Sequence, residues 1–224
     1  MRDRTLALVI DDDAVVGTGG FLALRRLRMH NRRADGSASV GYVCDFVHRP
    51  YGQDAVVVLL WHRTADGVRV LLREGMRPSL AFGRDPARAP LPEAASDGWL
   101  VELPAGIVEA HDHGLAGLRA RAAAEAEEEA GFAVEPAALV VLGAGSLPSP
   151  GTVPEKYYFV AAEVDPAAQR PLAGDGSPME EGATTAWWSL DAAIAACVAG
   201  ELADGKTELG LRRLRDHLGR GDAP

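Results

Sequence analysis

Four glutamates crowd the last turns of one predicted helix. Apolar residues recur at helical spacing over residues 115–130, and this segment ends in Glu-Ala-Glu-Glu-Glu-Ala-Gly. At about 100° per residue, Glu125, Glu128 and Glu129 fall on one face of the helix, whereas Glu127 points to the opposite side. The spacing therefore gathers three carboxylates where they could act together.

This carboxylate face could bind a hard cation or could simply be a solvated surface. Each negative charge at a helix C-terminus is disfavoured by about 0.3–1 kcal/mol because of the helix dipole. Like charges three and four residues apart also repel one another. Carboxylate oxygens suit Mg²⁺ or Mn²⁺, which would offset this repulsion. Spacing alone leaves the metal site and the solvated face about equally favoured.

A second metal pattern precedes the helix but is weaker. His111 and His113 flank Asp112, and a His-x-His pair can bind zinc. No cysteine or third histidine has suitable spacing, so the sequence disfavours a zinc site.

Strands and further helices surround the acidic helix, which is an α/β arrangement. Residues 1–52 form a predicted antiparallel β-region, with strands over 21–29 and 40–47, and residues 53–224 form a second domain. Gly131 is the predicted helix stop. In the second domain we predict strands at 55–60, 68–72, 99–103, 138–142, 157–164 and 186–189, helices at 190–198 and 207–218, and an exposed loop at 83–98.

Composition limits the partners. The 224 residues carry a net charge of −9, which gives no general attraction for nucleic acid or anionic lipid. The sequence contains no apolar run long enough for a membrane helix and no signal-peptide pattern in residues 1–10. We therefore expect a cytoplasmic protein with no nucleic-acid or membrane partner. The locally basic stretch over 25–33 could be a nucleic-acid patch, but a solvated strand face or a subunit contact is favoured.

The segment from Gly106 to Phe132 resembles the Nudix box, G-x5-E-x7-R-E-U-x-E-E-x-G-U. Its second half matches at Glu125, Glu128, Glu129, Gly131 and Phe132. Upstream, Glu102-Leu-Pro-Ala-Gly106 resembles the segment that precedes the box in ADP-ribose and nucleoside-diphosphate-sugar pyrophosphatases. The resemblance implies an α/β/α sandwich with a mixed central sheet, preceded by a β-region that builds a homodimer.

The box departs from the family pattern at three places. Asp112 stands where the family has glutamate, and the gap that follows is about four residues too long. Ala124 replaces the arginine that, in the family, helps to hold the catalytic carboxylates. Arg121 lies on the same predicted helix face as Glu125, so it could take over that pairing. It could equally be a surface arginine.

The resemblance also assigns site residues. It implies metal ligands at Glu125, Glu128, Glu129 and the carbonyl of Ala105 or Gly106. Glu181, with Glu180 as the alternative, would be the base that activates water, alongside catalytic Glu125 and Glu129. Substrate would contact Arg73 and Arg77, together with Pro150 of a Ser-Pro-Gly segment and the acid that follows it, Glu155.

The activity implied is Mg²⁺- or Mn²⁺-dependent hydrolysis of the diphosphate of ADP-ribose or a related nucleoside diphosphate sugar. Two alternatives stay open. A Nudix-fold protein lacking the box arginine could bind its nucleotide as a sensor without cleaving it. An RNA-end hydrolase would share the chemistry, but the net charge of −9 disfavours it.

Overall fold

The computed structural model describes residues 6–17, 20–174 and 176–221. The chain divides into two compact units. The first comprises Met1–Gln53 and Leu147–Lys156, and the second comprises Asp54–Ser146 and Tyr157–Pro224. The first unit thus includes a segment that the sequence analysis placed with the second domain.

The first unit is a three-stranded antiparallel sheet in the order β1-β2-β3. Its strands are β1 (Leu6–Gly17), β2 (Ala23–Arg33) and β3 (Tyr42–His48). The predicted N-terminal β-region is therefore confirmed, although β1 had not been recognised as a strand. Residues 147–156 join this unit through a hydrogen bond from the Val47 N–H to the Thr152 carbonyl, 2.9 Å long.

The basic stretch of β2 faces acids on both neighbouring strands. Arg28 lies 3.8 Å from Asp12, and Arg25 forms an ion pair with Asp13. Both of these aspartates are on β1. Arg26 lies 2.6 Å from Asp45, which is on β3. These arginines are matched within their own sheet, as expected for a solvated strand face.

The second unit is built on a seven-stranded mixed sheet. Its strands lie in the order β10-β5-β4-β9-β8, with β6 beside β5 and β7 beside β4. The pairing of β4 with β9 is parallel and the others are antiparallel. The strands are β4 (Asp54–Thr64), β5 (Gly67–Met76), β6 (Trp99–Glu102), β7 (Ala105–Val108), β8 (Val140–Val141), β9 (Tyr157–Glu163) and β10 (Thr184–Ser189).

Helices cover both faces of this sheet. They are α1 (Pro78–Phe82), α2 (Gly114–Glu128), α3 (Leu190–Ala199) and α4 (Gly205–Gly221). Alternate side chains of β4 point to opposite faces. Val56 and Val58 pack in the cluster that contains the alanines of α2, whereas Val57 and Leu59 pack with α3 and α4. The predicted α/β/α sandwich with a mixed sheet is confirmed.

Short elements complete the second unit. The loop over 83–98 contains one 3-10 turn at Pro86–Arg88.

Within the described part of the chain, no helix is long and apolar enough to cross a lipid bilayer.

Candidate active site

The acidic end of α2 packs closely against the sheet because the helix residues that face the sheet are alanines. Ala122 and Ala126 are fully buried against the sheet, and they bring the helix close to it. Glu125 and Glu129 occupy the adjoining positions and are each only 8% exposed. Glu128, one residue earlier in the same turn as Glu129, is half-buried. Three carboxylates predicted to share a face therefore lie together, two of them inside the protein.

Strand β7 forms the floor beneath these carboxylates. The backbone N–H of Ala105 donates a hydrogen bond to Glu129 Oε2, 2.8 Å away. The Glu125 carboxylate lies directly over the Cα of Gly106, so a Cβ at that position would overlap it far inside van der Waals contact. Glycine is required at position 106 for space, since the packed carboxylate leaves no room for a side chain.

Burial leaves this pair of carboxylates electrostatically unbalanced. The pKa of Glu125 is raised to about 8, first by burial and then by the negative charges of Glu129 and Glu128. The pKa of Glu129 is also raised by burial, although Arg73 and the Ala105 N–H act in the opposite direction. Both carboxyl groups therefore keep their protons to a higher pH than an exposed glutamate does.

Arg73 brings one positive charge to the cluster from β5. Its side chain is almost completely buried. Nη1 lies 3.6 Å from Glu129 Oε1, and Nη2 lies 3.3 Å from Glu180 Oε1. The sequence had assigned Arg73 to substrate phosphate, but the structure shows its guanidinium facing two carboxylates of the protein.

A cavity of about 480 Å³ opens beside the cluster. Its wall combines Arg73, Glu128 and Glu129 with residues from the stretches 172–174 and 176–183. Glu180 and Glu181 both line it, so each alternative for the water-activating base lies at the cavity.

Two of the other predicted substrate residues, Arg77 and Glu155, form ion pairs with protein side chains. Arg77 Nη2 lies 2.5 Å from Oε1 of the buried Glu102. Pro150 and Glu155 belong to the first unit, where Glu155 forms an ion pair with Arg49.

Comparison with known structures decides the fold. An ADP compounds hydrolase superimposes with a TM-score of 0.66 over 96% of each chain, at 14% sequence identity. The chain has a Nudix-type fold. No protein-family model and no curated protein sequence matches it.

Two more distant structures are similar over three-quarters of this chain. The NUDIX domain of Shewanella oneidensis NrtR in complex with ADP ribose is 14% identical, with 75% of this chain and 88% of that one covered and a TM-score of 0.43. A Caenorhabditis elegans Ap4A hydrolase is 15% identical, with 75% and 98% covered and a TM-score of 0.41. These two scores are low, so the fold rests on the first likeness.

Within this Nudix-type fold, the segment that resembles the Nudix box departs from that pattern at the arginine position. Of the two alternatives for Arg121, pairing with Glu125 is not the one the structure shows. Its Nε donates to Asp112 Oδ2 at 3.0 Å, and its Nη2 lies 2.9 Å from Glu109 Oε1. Arg121 therefore fastens the turn before α2 to the helix, and it influences Glu125 only through its charge.

The residues of this Nudix-type site fit a hard divalent cation in their chemistry. In the described residues, no three His, Cys, Asp or Glu side chains are grouped closely enough to form a complete ligand set as they stand. The available donors are carboxylate oxygens, and burial has raised two of their pKa values. Glu125, Glu128, Glu129 and the carbonyl of Ala105 are the groups that would hold the ion.

Sequence reasoning missed the support behind the cluster. Glu102 is buried between Arg77 and Lys206, and Thr207 Oγ1 accepts a hydrogen bond from the Leu103 N–H at 2.8 Å. Lys206 and Thr207 each lie 104 residues after their partners in sequence, and no local pattern links them. The motif at 102–106 indicated that the segment mattered, but it did not reveal these contacts.

Proposed function

We propose that this protein is a divalent-metal-dependent pyrophosphohydrolase acting on ADP-ribose or a related nucleoside diphosphate sugar. The products would be a nucleoside monophosphate and a sugar phosphate. The observation that carries the proposal is the pair of buried carboxylates, Glu125 and Glu129, at the end of α2, with Glu128 and Glu129 lining a substrate-sized cavity.

The charge of the site argues for a substrate that arrives with a cation. A diphosphate is negative, and so are most of the ionisable groups lining the cavity. Without a cation, the two would repel each other. A bound Mg²⁺ or Mn²⁺ neutralises phosphate oxygens and lowers the pKa of water. An anhydride between two phosphates is the bond that gains most from this combination.

The protein side chains have distinct roles in this proposal. Glu125, Glu128 and Glu129 hold the cation, and the Ala105 N–H fixes the direction of the Glu129 carboxylate. Glu181 accepts the proton of the attacking water, because Glu180 is already engaged with Arg73. Arg77, whose side chain is partly exposed, supplies positive charge to a substrate phosphate.

The choice of nucleotide is supported by the structural likeness. The similar solved structure is described as an ADP compounds hydrolase. Together with the Nudix-like box and the Glu-Leu-Pro-Ala-Gly segment at 102–106, this favours a substrate with an ADP half.

A hydrolysis screen tests the proposal. ADP-ribose, UDP-glucose, GDP-mannose, NADH and a diadenosine polyphosphate are incubated separately with Mg²⁺ and with Mn²⁺, and the products are separated by chromatography. We expect AMP and ribose 5-phosphate from ADP-ribose, and no products when a chelator is present. Absence of turnover for every substrate with either metal would contradict the proposal.

The second candidate function is nucleotide binding without cleavage. It is favoured by Ala124 at the arginine position and by Arg121, which faces Asp112 and Glu109 rather than the carboxylate pair. Calorimetry distinguishes the two functions. A sensor binds ADP-ribose with a measurable heat and returns it intact, whereas an enzyme converts it during the titration.

A further inference from the structure

The carboxylate end of α2 receives no paired cation from the position where the family places it. Ala124 has no charge, and Arg121 is engaged with Asp112 and Glu109. Position 124 lies four residues before Glu128 on the helix, so an arginine there would have stood beside the cluster. The positive charge instead reaches Glu129 from another element of the fold.

That charge belongs to Arg73, in the middle of the sheet. Its guanidinium uses different nitrogens for two carboxylates, with Nη1 3.6 Å from Glu129 Oε1 and Nη2 3.3 Å from Glu180 Oε1. The side chain is only 3% exposed, so water screens these pairs weakly. One guanidinium thus connects the end of α2 to the acidic loop, which we define as residues 176–183.

A glycine makes this arrangement possible. A Cβ at Gly75 would overlap Nη1 of Arg73, and the other guanidinium atoms lie close behind. Gly75 has a negative φ, so glycine is needed there for space and not for an unusual backbone conformation. The strand is shaped to let the arginine lie along its own backbone.

The chain that leads into the acidic loop is also attached to the C-terminal end of α2. The Arg170 N–H donates to the Gly131 carbonyl at 2.8 Å, and the Gly174 N–H donates to the Glu128 carbonyl at 3.0 Å. These bonds satisfy carbonyls at the helix C-terminus. The approach to the acidic loop is therefore fixed by backbone bonds, and Glu180 within the loop is tied to the same helix through Arg73.

We propose that Arg73 is a positioning residue that replaces the missing box arginine, holding Glu129 in place and tying the acidic loop to α2. Lysine at position 73 could not reproduce this, because a single ammonium lacks the planar fork that reaches two carboxylates at once. Only the effect on turnover rests on the proposed function. The ion pairs and the attachment of the loop stand without it.

Hydrogen exchange of the protein without metal or substrate tests this proposal. In Arg73→Gln we expect the backbone amides of residues 176–183 to exchange about tenfold faster than in the wild type. Arg69→Gln is the matched control, since Arg69 lies four residues earlier on the same strand and faces the same side. It should leave exchange in the acidic loop unchanged.

Glu180→Gln provides an independent arm that keeps Arg73 and its pair with Glu129. We expect the same faster exchange in 176–183, with the amides of α2 unaffected. If Arg73→Gln fails to fold, this variant decides the question alone. Loop exchange equal to that of the wild type in Glu180→Gln, or in a folded Arg73→Gln, would overturn the proposal.

Kinetics separates positioning from phosphate binding. A positioning role predicts that Arg73→Lys lowers kcat about tenfold or more while KM changes little. A rise in KM with unchanged kcat and unchanged loop exchange would show that Arg73 contacts substrate instead. Because the exchange experiment needs no turnover, failure of the proposed hydrolase function would leave its result intact.

Discussion

Ala105 and Glu129 are joined by a 2.8 Å hydrogen bond from the backbone N–H of one to the carboxylate of the other. The second carboxylate oxygen of Glu129 faces Arg73. Both oxygens are therefore engaged, one by the strand floor and one by the sheet arginine. The orientation of Glu129 is set by the fold before any ligand arrives.

Glu129→Gln should lower kcat by about two orders of magnitude while the protein stays folded. The substitution keeps the volume but removes one charge from the cation site. Turnover at saturating Mg²⁺ is the measurement. Glu127→Gln is the control, because Glu127 is exposed and lies 3.7 Å from the exposed Arg170. Equal turnover in Glu129→Gln and the wild type would remove Glu129 from the metal site.

Gly106→Ala should displace the Glu125 carboxylate and abolish most activity. The new Cβ has no room beneath that carboxylate, so the buried Glu125 side chain must turn away or the helix must shift. The midpoint temperature of thermal unfolding, Tm, should fall by several degrees at the same time. Gly205→Ala is the control, since a Cβ there meets no atom within 4 Å. A Gly106→Ala protein with wild-type Tm and turnover would show that Glu125 is placed differently.

The metal-free protein should lose stability as pH rises from about 4.5 to about 8. The pKa of Glu125 is raised to about 8 in the folded protein, so the folded state binds this proton more tightly than the unfolded chain. The stabilisation that this proton gives is complete below the pKa of Glu125 in the unfolded chain. It is lost as the pH rises through the pKa of Glu125 in the folded protein. Tm measured across this range should decline, and Glu125→Gln should flatten the decline.

Divalent cations should reverse this loss. At pH 8.5, Mg²⁺ or Mn²⁺ should raise the Tm of the wild type, and the gain should shrink toward pH 6 because protons compete for the same oxygens. Glu125→Gln should reduce the gain. A cation effect that is independent of pH and of this substitution would place the ion elsewhere.

Arg121→Ala should weaken folding more than catalysis. Arg121 binds Asp112 and Glu109, so its removal should lower the free energy of unfolding by about 1–3 kcal/mol at pH 7. Burial alone would raise the pKa of the Asp112 carboxyl. The hydrogen bond from the Glu109 N–H and the charge of Arg121 outweigh this effect, so the pKa is lowered. This stabilisation exists above the unfolded pKa and is lost as pH falls through the folded one.

Urea unfolding at pH 7 and below pH 3 measures that effect, and the difference from the wild type should be smaller at the lower pH. The opposite result, unchanged stability with a sharply lower kcat, would indicate that Arg121 serves the carboxylate pair directly.

We also expect a homodimer formed through the first unit. Its described sheet buries few apolar side chains, chiefly Ala23 and Met29, while Val40 is 87% exposed and Phe21 60%. Light scattering at micromolar concentration should give twice the mass of the chain, and Val43→Asp on β3 should reduce it. Val198→Asp, at an exposed position of α3, is the control. A monomeric wild type with full activity would contradict the expectation.

Local signals predicted the helix and its acids correctly. The apolar stripe over 115–130 and the stop at Gly131 correspond to α2, and Gly131 has a φ of 76°. Strand β1 was missed because its run of acids, Asp11 to Asp13, does not read as a strand. These acids are stabilised by cross-strand partners on β2, which a single segment cannot reveal.

The partners of the two arginines could not be predicted for the same reason. Arg121 is one helical turn from Glu125 in sequence, yet its side chain pairs with Asp112, which is nine residues away. Arg73 meets Glu129 only because β5 and the end of α2 are brought together by the sheet. Sequence spacing identifies which groups carry charge, but tertiary packing decides which charges meet.

Residues 147–156 belong to the first unit although the chain has by then passed through α2. During synthesis, the N-terminal sheet therefore emerges from the ribosome well before the segment that bonds to Val47 and Arg49. The first unit cannot be completed until the chain is extended past residue 156. A fragment ending at residue 53 would lack these contacts, so the two units are not separable by a single cut.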